Sequence, residues 1–152
     1  MGIVSRRAPP SSPGPPQLGG AAAVESIDLD PACTHATQHN LKRLGLHRQV
    51  TCRTADAVAA AEAYATAQRQ FGFVFVDHSH AYEPVYGVCR VLDQIIAPGG
   101  FCLFHDYNDI RNADPEDKEY GVYQAVVDGL NLDAFEFYGI FGCCGLYRRA
   151  PR

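Results

Sequence analysis

Six apolar residues in a row, FGFVFV at 71 to 76, close on Asp77. A strand that is apolar at every position has no face for water. The run therefore predicts a strand covered on both sides, as in a parallel sheet flanked by helices. FCLFHDY at 101 to 107 is a second apolar strand ending in an acid. Between the two, Pro84 can open a helix in which Val85, Val88, Cys89, Leu92, Ile95 and Ile96 recur at helical spacing. Pro98-Gly99-Gly100 is expected to end it.

The same alternation extends in both directions. VESIDLD at 24 to 30 reads as a strand, and Asp30-Pro31 as a helix start with an N-cap acid and proline at the first helical position. Ala32, Ala36, Asn40 and Leu44 are expected to share a face, with Leu41 beside them, before Gly45 stops the helix. VTCRTADA at 50 to 57 predicts another strand with its exit turn, followed by a helix from Val58 to Arg69. Tyr120, Val122, Tyr123, Val126, Val127 and Leu130 outline a later helix. AFEFYGIFG and CCGLYRR then meet at Gly142 as an antiparallel hairpin. The order implies an α/β fold: a Rossmann-like, mostly parallel sheet with helices on both faces and a C-terminal antiparallel β-hairpin.

Composition narrows the function classes. The chain has 152 residues, 47% hydrophobic and 20% charged, which suits one soluble globular domain. A net charge of -4 argues against a broad phosphate-binding surface, so no nucleic-acid partner is expected. No apolar run is long enough to span a membrane, and no secretory leader is evident. The six cysteines form no CxxC pair, and most lie in apolar stretches. They read as reduced, buried thiols of a cytoplasmic protein, with a zinc site or a disulfide framework as the alternative.

Residues 1–22 are of another kind. SRRAPPSSPGPPQLGG is rich in Pro, Ser and Gly and reads as a disordered tail, leaving the domain over 23–150. Ile3 and Val4 are the only strand-like residues there, too few to predict a strand.

In an open parallel sheet, ligands bind beyond the carboxyl ends of the strands. Four successive strands end in or near Asp28, Asp56, Asp77 and Asp106, so these acids are expected on one rim. Asp28 can accept hydrogen bonds from two ribose hydroxyls, and Asp56 from an amino group such as that of adenine. Asp77 and Asp106 could share a hard divalent cation such as magnesium. His78 and His80, two apart, would point the same way in an extended segment. A histidine can serve as general base or metal ligand, and His80 and His105 are the candidates. His35, His39 and His47 read as solvated.

From Val24 to Tyr147 the chain resembles a class I S-adenosylmethionine (SAM) dependent methyltransferase of the small bacterial O-methyltransferase-like branch. The resemblance rests on FVFVDHSHAYEPVYGV, LDQIIAPGGFCLFHDY, VESIDLDP, NLKRLGL and VTCRTADA. It implies a seven-stranded sheet with an antiparallel last strand, SAM as cofactor, and a small-molecule oxygen or nitrogen acceptor. It matches Asp28 to the ribose-binding acid, Asp56 to the adenine-side acid, and Asp77 to the acid ending the fourth strand. Asp77 and Asp106 match two magnesium ligands of catechol-type relatives. The third ligand there is Asn, and residue 107 is Tyr, with Asn108 one step on.

The resemblance also exposes a gap. The family's glycine-rich loop follows a central first strand, and PGPPQLGGAAAVES stands in its place. Prolines 9, 10, 13, 15 and 16 cannot form a central strand. The first strand is therefore expected to be missing, leaving two unpaired inner edges that invite association with another chain, including a homo-oligomer. A truncated or misassigned start is the favoured explanation. Three functions stay open: a SAM-dependent methyltransferase, a non-catalytic remnant of one, and a nucleotide- or partner-binding α/β module of other descent.

Overall fold

The computed structural model describes residues 2–5, 23–114, 116–117 and 119–151. Its elements run β1 (Gly2–Ser5), β2 (Ala23–Asp28), α1 (Pro31–Arg43), β3 (Val50–Thr54), α2 (Ala57–Thr66), β4 (Phe71–Val76), α3 (Tyr82–Cys89), α4 (Leu92–Ile95), β5 (Ile96–Phe104), α5 (Val122–Gly129), β6 (Phe135–Phe141) and β7 (Cys144–Arg149). A short 3-10 turn occupies Ile110–Ala113. The sheet has seven strands in the order β3-β2-β1-β4-β5-β7-β6. β2 and β3 pair parallel, as do β4 and β5, and β7 returns antiparallel to both β5 and β6. The mixed α/β architecture with its C-terminal antiparallel hairpin is the one the sequence predicts.

The central slot is not empty, which corrects one expectation. β1 lies between β2 and β4 and runs antiparallel to both, pairing Ile3 with Glu25 on one side and Val74 on the other. The physical reason is connection length and type. A parallel return needs a crossover, usually a helix, whereas an antiparallel partner needs only a loop back to the same end. Ser5 pairs with Ala23, so β1 ends beside the start of β2. Residues 2–5 are thus a strand and not part of a tail. The expected disorder of 6–22 lies outside the described residues. The two unpaired inner edges, which were the reason to expect association, are now paired.

Local signals set most element ends. Asp30 caps α1, its Oδ1 accepting from the Ala32 N–H at 2.8 Å, with Pro31 at the first position. Gly45, at φ +70°, follows the helix end. The sheet-facing positions of α1 are Thr34 and Leu41, not the expected Ala32, Ala36, Asn40 and Leu44, which are exposed. Steps of four residues drift by about 40° each on a 3.6-residue helix, while seven steps return nearly to the same face.

α2 stops at Thr66 and not at Arg69. Gln68 takes φ +51°, and Arg69 turns back to form an ion pair with Glu25, buried in β2. The Tyr64 hydroxyl donates to the same carboxylate. The helix expected to open at Pro84 begins two residues earlier, at Tyr82, and breaks into α3 and α4 around Arg90. Pro98-Gly99-Gly100 falls within β5, at an irregularity in its pairing with β4.

The core follows the apolar runs. Val74 and Val76 of β4, Cys102 and Phe104 of β5, and Val85, Val88, Leu92, Ile95, Val122 and Val126 of the helices are buried together. Phe73, Phe75, Phe101 and Leu103, on the alternate positions, are only half-buried. α1 packs on β2 and β3 at one edge, away from these aromatic rings. No helix among the described residues is long and apolar enough to cross a membrane.

Candidate functional site

The carboxyl ends of β2, β3 and β4 frame a cleft of about 250 Å³. Asp28, Asp56 and Asp77 all line it, with Ile27, Ala55 and His78 among the walls. Each of the first two acids spends one oxygen on its own backbone. Asp28 Oδ1 accepts from the Asp30 N–H at 2.9 Å, and Asp56 Oδ1 accepts from Ala59 N–H at 2.8 Å as the N-cap of α2. Among the described residues, the second oxygen of neither acid accepts a hydrogen bond.

Asp77 joins this cleft to a second group of side chains. Its Oδ1 lies 3.2 Å from His105 Nδ1, which lies 3.1 Å from Asp106 Oδ2. His80 Nε2 approaches the same Asp106 oxygen to 2.8 Å. Asp28, Asp56, Asp77 and Asp106 thus share one rim, and His80 and His105 stand among them. His105 Nδ1 is enclosed, yet neither carboxylate meets it at a hydrogen-bonding angle.

Asp106 is unusual in two respects. It is a buried acid, and its backbone takes φ +56°, the left-handed region that few residues other than glycine, Asn and Asp enter. The strain of roughly 1–2 kcal/mol puts its carboxylate where two histidines can reach it. The backbone is fixed further on: Asn112 Nδ2 donates to Asp106 O at 2.8 Å.

His78 and His80 do not point together, because residues 77–81 bend. His78 Nε2 lies 3.2 Å from Pro84 O, so that nitrogen carries the proton. Burial holds the His78 pKa below its ordinary value, against the opposing Pro84 hydrogen bond. His80 instead stacks on Tyr120, with centroids 5.1 Å apart, and the Arg111 guanidinium covers the same phenol ring at 4.1 Å. Burial, then the Asp106 charge, pushes the Tyr120 hydroxyl up to about 12. His35, His39 and His47 are exposed, as expected.

Sequence reasoning missed the contribution of the hairpin. Cys33 is exposed and Cys143 and Cys144 are only half-buried, against the expectation for most of the thiols, while Cys89 and Cys102 are buried. All six cysteines are free. β6 and β7 turn through Gly142 and Cys143, with Gly142 at φ +64°, the pattern of a type II′ hairpin with glycine first. Cys143 O accepts from the Asn108 N–H at 3.0 Å, tying the turn to the segment after Asp106. The tip therefore reaches His105. Burial, then Cys143, then Asp77 and Asp106, push the Cys144 thiol up to about 11. The missed signal was the order of the strands: placing β7 next to β5 brings its start beside the end of β5.

Against known proteins, residues 17–107 match the family model described as "Methyltransferase domain". That is more than half of the chain. The chain belongs to the class I methyltransferase family. No curated protein matches its sequence. Among solved structures, the O-methyltransferase from Bacillus cereus in complex with SAH superposes with a TM-score of 0.67 at 13% identity, over 87% of this chain and 64% of that one. The cofactor-bound Rv0187 from MTB gives 0.67 at 14% identity, over 84% and 62%. The N-methyltransferase NodS from Bradyrhizobium japonicum gives 0.55 at 17%, over 84% and 73%. At these identities the likeness is one of fold. The methyltransferase-family chain spans less than two thirds of the length of the first two.

Proposed function

We propose that this chain carries out SAM-dependent methyl transfer to an oxygen or nitrogen of a small molecule. The observation that supports it most is the continuity of the rim: a cleft lined by Asp28, Asp56 and Asp77 opens directly beside the His80–Asp106 pair. In this reading Asp28 holds the ribose hydroxyls with its uncommitted oxygen and Asp56 receives the adenine amino group. Asp77 closes the cleft toward the acceptor. SAM supplies a methyl group on a sulfonium, open to in-line displacement. The chain's own part is to position the acceptor and take its proton.

His80 is built for the second task. Its Nε2 faces the Asp106 carboxylate at 2.8 Å, which leaves Nδ1 as the nitrogen that takes the acceptor proton. His105, between two carboxylates, is the alternative base. The cleft volume is just under the range of about 300–1,000 Å³ usual for small-molecule sites, consistent with a rim that receives the nucleoside end of a ligand.

Magnesium fits Asp77 and Asp106 less well. Two histidines face the Asp106 oxygen that a cation would need. Tyr107, in the position of the third hard ligand, turns its hydroxyl to Tyr147 at 2.7 Å. We place the domain over 23–150 together with the β1 strand, and the protein in the cytoplasm, where free thiols persist.

Calorimetric titration with S-adenosylhomocysteine tests the proposal. Binding tighter than about 100 μM, roughly -5.5 kcal/mol, supports it. Absence of both heat and thermal shift would leave a fold that has lost its cofactor.

A further inference from the structure

Cys143, Cys144 and His105 bring two thiol sulfurs and a ring nitrogen within 4.8 Å of one another. We propose that these three residues bind a thiophilic transition-metal ion, with zinc as the physiological candidate, at the acceptor side of the rim.

The spacing agrees with that chemistry. Two sulfurs, each about 2.3 Å from zinc at a tetrahedral angle, stand about 3.8 Å apart. Cys143 Sγ and Cys144 Sγ are 3.9 Å apart with no ion between them. His105 is the remaining ligand, through a ring nitrogen that lies within reach of both sulfurs. The ligand set is two soft sulfurs and one imidazole, which selects zinc or copper(I) over magnesium. Asp77 and Asp106, both close to His105, add negative charge that favours a cation there.

The site is also held in place before any ion arrives. The type II′ turn fixes Cys143, the Asn108–Cys143 hydrogen bond fixes the turn, and His105 donates its backbone N–H to Val76 O at 3.0 Å. Binding of a divalent ion releases the two thiol protons to solvent, leaving a Cys₂His centre. Three protein ligands leave a fourth position for water or an acceptor oxygen, the arrangement of catalytic rather than structural zinc. Metal binding by these side chains does not depend on SAM binding, so either proposal can fail without the other.

The test uses the full chain, reduced and stripped of metal. Zinc is titrated in competition with a chromophoric chelator, and cobalt(II) is added separately to read ligand type from its spectrum. One equivalent of zinc should bind, and cobalt should show thiolate-to-metal charge transfer with tetrahedral d–d bands. Cys143→Ser, Cys144→Ser and His105→Ala should each weaken zinc at least 100-fold, while Cys33→Ser, at an exposed thiol, should not. The cobalt spectrum of the unaltered chain reads the sulfur ligands directly, whatever the variants do to folding. Zinc binding that survives in the Cys143→Ser/Cys144→Ser double variant, or a cobalt spectrum without sulfur charge transfer, overturns the proposal.

Discussion

His80 Nε2 lies 2.8 Å from Asp106 Oδ2, and the aspartate that makes this contact is buried at a left-handed backbone position. The contact is therefore set by the turn that carries Asp106, whose carbonyl oxygen is held by Asn112 Nδ2. Replacing His80 with Ala should lower turnover by about 10²–10⁴-fold, the usual share of a general base. Asp106→Asn should act in the same direction with little change in folding, because Asn tolerates positive φ. The measurement is the initial rate of S-adenosylhomocysteine release with whichever small phenol, alcohol or amine of a panel turns over. Unchanged rates in both variants would remove the pair from the chemistry.

Asp28 governs a different quantity. It is exposed on the cleft wall and its hydrogen bond within the chain is to the Asp30 N–H, so its loss should cost the fold only about 1 kcal/mol. A charged hydrogen bond to a ribose hydroxyl is worth about 1.5–3 kcal/mol. Asp28→Ala should accordingly weaken S-adenosylhomocysteine about 10- to 100-fold by calorimetry, with only a small drop in the ligand-free melting temperature. Equal affinity would assign the ribose to another residue.

How far these residues could be read from the chain varies with the kind of signal. The four rim acids were legible because each stands at or near the end of an expected strand, and the parallel direction of those strands then sets where the acids meet. The His80–Asp106 contact was not legible. It depends on the bend over 77–81 and on the positive φ of Asp106, which no periodicity encodes. β1 was passed over because four residues carry almost no pattern of their own. Its place comes from two strand edges that would otherwise stay unpaired. The thiols of Cys143 and Cys144 looked like core because the hairpin is apolar, yet Cys143 lies in the turn and Cys144 at the strand end beside it, where the chain leaves the core whatever its hydropathy.

His78 makes the fold sensitive to acid. Burial lowers its pKa in the folded chain below the ordinary 6.5, while the unfolded chain keeps that value. Above 6.5 both states are neutral and His78 adds no pH dependence. As pH falls below 6.5, the unfolded state gains a proton that the folded state refuses, and stability drops until the lowered folded pKa is passed. The loss amounts to about 1.4 kcal/mol per unit by which the folded value is depressed. Urea midpoints between pH 8 and pH 5 should show this decline, and His78→Gln should flatten it. An equal slope in both proteins would place the acid sensitivity elsewhere.

Gly145 controls the position of the hairpin tip. A Cβ there would stand 2.5 Å from Cγ and Cδ1 of Tyr107, whose ring lies flat against the strand. Tyr107 is itself held by the 2.7 Å contact between its hydroxyl and that of Tyr147, so it has little room to retreat. Gly145→Ala should cost about 1–3 kcal/mol, the usual penalty of overpacking. The cost should fall sharply in a Tyr107→Ala background, because the three atoms nearest to that Cβ all belong to the Tyr107 ring. A double-mutant cycle by urea denaturation measures the coupling. Independent costs would mean that the glycine is needed for its backbone. The coupled result would show that Tyr107, by leaving room for no side chain at 145, sets how closely β7 lies against the segment following β5.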